Sequence, residues 1–295
     1  MTEILAPAGS PESLKAAINA GADAVYLGLQ SFSARANAKN FTEQELSEAA
    51  NLCRLSNVKL YLTLNTLIFD DEVPKIRKTV QIAKTAGVDA VIVQDLAVLE
   101  EVKEAGLTAH ASTQMSIMSL SGAKAAKKLG FSRVVLAREM TLAEIAEITQ
   151  SADIETEVFI HGALCVSVSG QCLMSAFLGG RSANRGQCAQ PCRLNFTAGK
   201  SGYALSLKDL SIIEHIKKLQ EIGVTSVKIE GRMKSPEYVT AAVSACASAR
   251  AGKPYDVKEL EAIFSRGGFT DGYLTGETRS MRGHRAETNS RGRRK

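Results

Sequence analysis

Along this chain an amphipathic stretch, a glycine and a short apolar run recur in that order. Asn19-Ala20-Gly21 precedes Ala24-Val25-Tyr26-Leu27-Gly28, and Thr85-Ala86-Gly87 precedes Ala90-Val91-Ile92-Val93. The unit returns with Glu104-Ala105-Gly106, Lys128-Leu129-Gly130 and Glu221-Ile222-Gly223, each followed by a further apolar run. Left-handed backbone costs glycine little, so each glycine reads as the end of a helix. Helix starts are marked as well. Ser10-Pro11 and Ser235-Pro236 place a capping hydroxyl before a proline at the first helical position. Thr42 with Glu45, and Thr141 with Glu144, have the spacing of a capping box.

The apolar runs predict eight strands, at residues 4–6, 24–28, 59–64, 90–94, 108–112, 133–137, 156–160 and 226–230. Strands that alternate with helices imply βα units and a parallel sheet, and eight of them favour a closed (β/α)8 TIM-barrel-like fold over an open sheet. No Gly-x-Gly-x-x-Gly follows the first strand, which weakens a dinucleotide-binding reading. One interval breaks the rhythm: about 65 residues separate the seventh strand from the eighth, far more than a βα connection needs. The expected organisation is a barrel over 1–276 that includes a Cys-rich insertion at 162–206. A further pair of strands is expected at 194–197 and 203–206. An insertion after a barrel strand belongs to the C-terminal face, where such folds build their active sites.

Composition changes this picture little. With 295 residues, 45% hydrophobic and 23% charged, the chain has the make-up of a globular protein. No apolar run approaches the roughly 20 residues of a membrane span. The first residues, Met-Thr-Glu-Ile-Leu-Ala-Pro, lack the basic and apolar segments of a secretory signal, so a cytoplasmic location is expected. The net charge of +5 lies wholly in residues 277–295, which hold seven Lys/Arg and two acids and leave 29 of each sign before them. That segment reads as a basic, disordered tail or an arm on nucleic acid. The body itself is electrically balanced, and its charge does not point to RNA.

The chemistry concentrates in the insertion. Cys165, Cys172, Cys188 and Cys192 fall within 28 residues as C-x6-C-x15-C-x3-C, whereas Cys53 and Cys246 sit in helical patterns as small hydrophobes. Four clustered thiols in a cytosolic chain point to a metal more than to two disulfides. Zinc normally has a Cys-x2-4-Cys knuckle at both ends, so the irregular spacing favours an iron–sulfur cluster. Zinc and unligated redox thiols remain open on spacing alone. There is no Gly-x-Ser-x-Gly elbow and no His-Glu-x-x-His, while Cys165 with His161 would make a thiol-protease pair.

The central segment also carries a resemblance. Glu157-x-Phe159-x-x-Gly162-Ala163-Leu164-Cys165, then Gly170-x-Cys172-x-Met174-Ser175, resembles the signature of the U32 peptidase (collagenase-like) family. Gly179-Gly180-Arg181-Ser182-Ala183-Asn184-Arg185-Gly186-Gln187-Cys188-Ala189-Gln190-Pro191-Cys192-Arg193 continues it. So do Leu5-Ala6-Pro7-Ala8-Gly9, Gly21-Ala22-Asp23-Ala24-Val25-Tyr26, Ser226-Val227-Lys228-Ile229-Glu230-Gly231-Arg232 and Phe264-Ser265-Arg266-Gly267-Gly268. Members of this family have been called proteases. Others are oxygen-independent hydroxylation proteins acting on a tRNA uridine, a 23S rRNA cytidine or a quinone precursor. The resemblance implies a [4Fe–4S] cluster on Cys165, Cys172, Cys188 and Cys192, with prephenate as the hydroxyl source. The array is most similar to the RNA-modifying branch, whose members carry a further C-terminal region not matched here after Gly267-Gly268-Phe269. The resemblance therefore implies RNA, either tRNA or rRNA, as partner. Its alternatives are a U32-type peptidase and a non-catalytic or paired subunit working with a second family member. No membrane partner is implied.

Polar residues at strand ends face a barrel mouth and complete the candidate list. His161 could transfer protons or hold a backbone carbonyl. Lys228, Glu230 and Arg232 alternate and so share the inward face, where Lys228 and Glu230 could satisfy one another. Glu230 and Arg232 join His161 as catalytic candidates. Arg232 and Lys234 could hold the two carboxylates of prephenate. Asn65, Gln114, Arg138-Glu139 and Gln94-Asp95 end other strands and are weaker candidates for binding substrate.

Overall fold

The computed structural model describes residues 1–35, 38–169, 171–198 and 200–282. Eight parallel strands close into a barrel: β1 Glu3–Pro7, β2 Ala24–Gly28, β3 Lys59–Leu64, β4 Ala90–Val93, β5 Ala109–Ala111, β6 Arg133–Val135, β7 Glu155–Gly162 and β11 Ser226–Ile229. Closure comes from β11, which pairs in parallel with β1 on one side and β7 on the other. The expected barrel is therefore present, and all eight anticipated strands form within a few residues of their expected bounds.

Around it run α1 Pro11–Asn19, α2 Glu43–Leu55, α3 Val73–Ala86, α4 Leu96–Glu104, α5 Leu120–Leu129, α6 Leu142–Ser151, α8 Ile216–Ile222 and α9 Pro236–Arg250. A short α7, Met174–Gly179, lies in the insertion, and α10 Val257–Ile263 and α11 Gly272–Thr275 follow the barrel. The glycines expected to end helices, Gly21, Gly87, Gly106, Gly130 and Gly223, all have positive φ. Both capping boxes form, at Thr42 and Thr141, and Ser10 accepts from the Ser13 N–H. Ser235 precedes Pro236 as expected but makes no side-chain cap bond. None of these helices is long and apolar enough to cross a membrane.

Period-two alternation divides the core. Leu60, Leu62, Val91 and Val93 face outward to pack against Leu46, Ile76 and Val98 of the helices. Leu5, Ala24, Tyr26, Tyr61, Ala90 and Ile92 face inward and form a smaller apolar cluster inside the barrel. Nearer the N-terminal end, the interior is filled by charge. Arg133 donates to Glu3 (2.6 Å), Glu155 (2.8 Å) and Glu157 (3.3 Å), Tyr61 donates to Glu3 (2.8 Å), and Lys228 donates to Glu157 (2.8 Å).

Two expectations need correction. The strand pair of the insertion is a tight hairpin of β8 Phe196–Ala198 and β9 Lys200–Gly202, so residues 203–206 are not strand. Periodicity also gave no sign of β10 Asp209–Ser211 and β12 Phe269–Thr270, which extend the sheet beyond β7. There β10 pairs antiparallel with His161 and Gly162. Strands of two or three residues are too short to show an alternation, and the buried Asp209 interrupts the apolar signal. The basic segment expected to be disordered from residue 277 begins with an ordered stretch. Met281 is buried, and its carbonyl accepts from the Lys208 N–H at 2.9 Å. Residues 283–295, which hold most of the basic charge, lie outside the described residues.

Candidate functional site

The insertion leaves β7 at Gly162, whose φ of 121° and closeness to the Glu230 carbonyl (a Cβ would lie 2.6 Å away) favour glycine. From there it crosses the C-terminal face and is tied to loops from several strands. Ser116, after β5, donates to the Ser169 carbonyl, and Ser169 donates to Glu139, after β6, at 2.8 Å. Arg185 reaches the loop after β3, donating to the Leu67 carbonyl (2.8 Å) and to Glu72 (2.5 Å). Arg193 ties the insertion's two ends together through the Leu164 carbonyl (2.6 Å) and Ser206 Oγ (2.8 Å).

All four cysteines of the array lie in this layer as free thiols, Cys188 exposed and the others half-buried. Burial pushes the Cys192 thiol up against the pull of Arg193, and its neighbours Cys165, Cys188 and Cys172 add to the rise. Cys192 is therefore within electrostatic reach of the other three. Among the described residues, however, no three of them lie within 4.8 Å of each other. The Gln190 N–H donates to Cys188 Sγ at 3.4 Å, and Ser175 Oγ lies 3.9 Å from it. Cys53 and Cys246 are buried, and burial pushes each thiol up to about 12, as expected of packing cysteines.

Beneath the insertion the mouth is rich in guanidinium. Glu230 accepts from Arg35 (2.8 Å) and Arg138 (3.2 Å). Burial pushes the Glu230 carboxyl up, but Arg35 and Arg138 outweigh it and hold it down at about 2. Arg232 donates to Ser33 Oγ (2.6 Å) and Thr63 Oγ1 (2.8 Å), and burial followed by repulsion from Arg35 lowers it to about 10. Gly28 makes room for it, since a Cβ there would lie 2.6 Å from Arg232 Nη1. The Arg138 guanidinium lies 3.8 Å from the centre of the Phe159 ring, and its Nε is buried with no partner. Two arginines thus share one carboxylate, a third is held beside them by hydroxyls, and the mouth has positive charge to offer an anion. Cys188 lies close enough to Arg35 to help raise it, which brings the thiol layer and the cationic pocket together.

The sequence candidates separate into groups. Glu230, Arg232 and Arg138 converge here. Asn65 and Gln114 join one another, with Asn65 Nδ2 donating to Ser112 Oγ (3.2 Å) and Gln114 Oε1 (3.4 Å). Lys234 lies at the edge, 3.3 Å from the centre of the Phe264 ring, and burial followed by Arg266 lowers its ammonium to about 8. Lys228 does not reach the mouth. It shares the inward face as expected, but its partner is Glu157 deeper in the barrel and not Glu230. Alternation fixes which face a side chain takes, while depth in the barrel decides whom it meets.

His161 departs further. A β-bulge between Lys228 and Ile229 places it opposite Ile229, and its ring lies against Tyr238 of α9 and Phe269 of β12. It is fully buried, neither ring nitrogen has a partner, and burial lowers it to about 4. The expected backbone hydrogen bond and the Cys165–His161 pair are therefore both absent. Because the unfolded chain protonates near 6.5 and the folded chain only near 4, this histidine withdraws stability as pH falls through that window. His161→Phe should leave the melting temperature at pH 8 nearly unchanged and flatten its fall between pH 6.5 and 4. Loss of activity in a stably folded His161→Phe protein would restore a proton-transfer role.

Arg35 went unnoticed in the sequence. It sits in the irregular loop after β2, where no periodicity marks it, and only its place past a strand end on the C-terminal face could have suggested it.

The sequence profile described as peptidase family U32 matches residues 9–283. An uncharacterized protease of Methanocaldococcus jannaschii is 41% identical over 90% of this chain and 71% of its own length. A tRNA hydroxylation protein of Bacillus subtilis is 39% identical over 82% of this chain and 61% of its own. A 23S rRNA 5-hydroxycytidine synthase of Escherichia coli is 41% identical over 80% of this chain but only 37% of its own length. Among solved structures, a U32 peptidase superposes with a TM-score of 0.56 at 15% identity, covering 78% of this chain and 94% of its own, which supports the barrel fold. On the extent of the profile match and the identity to these relatives, the chain belongs to peptidase family U32.

Proposed function

We propose that this chain hydroxylates a pyrimidine of tRNA or rRNA without oxygen, using a [4Fe–4S] cluster on Cys165, Cys172, Cys188 and Cys192 and prephenate as co-substrate. The observation that carries this reading is the place of four free thiols in the insertion over the mouth, with Cys188 in electrostatic reach of Arg35, one of two arginines that share the Glu230 carboxylate. A four-iron cluster bound by the four thiolates would supply one-electron chemistry.

The chain's own residues then have distinct tasks. Arg232, Arg138 and Lys234 bind and orient the carboxylates of the co-substrate, and Arg138 has an unused donor to give. Glu230 is a positioning group: ionised at neutral pH, it fixes Arg35 and Arg138. Asn65 and Gln114 bond to one another and brace the uncharged part of the mouth. RNA as partner is supported by the names of the relatives that modify tRNA and rRNA. A second family chain that contributes to RNA binding is part of the proposal.

The deciding experiment is mass spectrometry of nucleosides from a strain lacking this gene, with and without the wild-type copy. Loss and recovery of a 5-hydroxypyrimidine is the expected result. An unchanged nucleoside profile, together with gelatin cleavage by metal-free protein, would replace this reading with the peptidase that another relative's name suggests.

A further inference from the structure

Past the ends of β3, β4 and β5 the mouth carries uncharged side chains, one of them incompletely satisfied. Asn65, Gln94 and Ser112 follow β3, β4 and β5 on the inward face, in phase with Tyr61, Ile92 and His110. The β3–β4 register, Leu64 beside Val93, sets Asn65 beside Gln94 when carried one residue further. Asn65 is fully engaged: its Oδ1 accepts from the Ala34 N–H at 3.2 Å and its Nδ2 donates to Ser112. Gln94 is not. It is 9% exposed, and its Oε1 is buried with no donor among the described residues. Beside the mouth, this unpaired acceptor is free to take a donor from a ligand.

We propose that Gln94 is a specificity-determining residue that accepts a hydrogen bond from an N–H of an unstacked pyrimidine base of single-stranded RNA. This rests on the hydroxylation reading above. A carboxylate has no proton to give the Gln94 oxygen, whereas an uncharged base carries N–H groups that it can accept from. Glutamine suits it, because uracil presents an N3–H and cytosine an N4–H2 that a carboxamide oxygen can accept. The rim beside it supplies the stacking surface that a base taken from a strand needs. Leu67 and Phe69, in the loop after β3, are 45% and 65% exposed, and the Arg185 guanidinium lies 5.0 Å from the centre of the Phe69 ring.

The test uses full-length protein purified without oxygen and fluorescein-labelled oligouridylate and oligocytidylate. Each is paired with a counterpart lacking the N–H, built from 3-methyluridine or N4,N4-dimethylcytidine. Anisotropy should show the wild type preferring one unmodified strand by about tenfold over its counterpart, the size of a single discriminating base contact. Gln94→Leu, which removes the unpaired acceptor without leaving a charge, should erase that preference, and Gln94→Glu, which keeps an acceptor, should retain it. Prephenate affinity by calorimetry should not change in either variant. A fall in prephenate affinity with the RNA preference intact would assign Gln94 to the anionic reactant and overturn the proposal. Equal binding of both strands by wild type would also overturn it. Neither result touches the hydroxylation reading, which fails only if the nucleoside profile itself is unchanged.

Discussion

Glu157→Gln should lower the stability of this protein by about 3–5 kcal/mol, the cost of breaking a buried ion pair from one side. Glu157 is fully buried, and it is the one carboxylate bonded to Lys228, whose side chain is only 5% exposed. Burial lowers the Lys228 ammonium, and Glu157 is the largest influence that opposes it. Arg133 would keep Glu3 and Glu155 in the variant, so the penalty falls mainly on the lysine. Adding Lys228→Met should recover most of the loss, because an apolar side chain can fill that depth beside Tyr26 without a charge to solvate. Urea unfolding of the two variants decides the matter. A change below about 1 kcal/mol for Glu157→Gln would mean that water reaches this end of the barrel and pairs the lysine in its place.

The larger functional effect is expected at the cysteines. Cys188→Ser should reduce bound iron and acid-labile sulfide from about four of each per chain to near zero, and 5-hydroxypyrimidine in the complemented strain to background. Serine is nearly isosteric but is not ionised at neutral pH, so it cannot replace a thiolate ligand. Cys53→Ser and Cys246→Ser are the controls. Both thiols are buried in the helical layer, away from the insertion, so those proteins should keep their iron even if less stable. Full iron content in Cys188→Ser protein would remove Cys188 from the ligand set, and unchanged hydroxylation in a protein with all four cysteines replaced would end the cluster proposal.

The barrel was legible because its information is local. Each βα unit carries its own apolar period, its own capping residues and its own terminal glycine, and Gly21, Gly87, Gly106, Gly130 and Gly223 adopt the backbone that their positions implied. The four-cysteine array was equally plain, since its members sit within one insertion. The site was only partly legible. Alternation placed Lys228, Glu230 and Arg232 on the inward face, but the partners of each come from strands and loops remote in the chain: Glu157 for the first, Arg35 and Arg138 for the second, Ser33 and Thr63 for the third.

The sequence by itself determined the order of strands and helices, the place of the insertion and the grouping of four cysteines within it, because chain-local spacing and propensity settle those. Only the tertiary structure decided that His161 is turned against Tyr238 and Phe269, that Lys228 lies below the mouth, and that Arg35 joins Glu230. A bulge of one residue, a difference in depth along one strand face, and the reach of a loop residue into the mouth have no signature in local periodicity. They arise when distant segments compete for the same interior, where charges must be paired and every polar atom needs a partner.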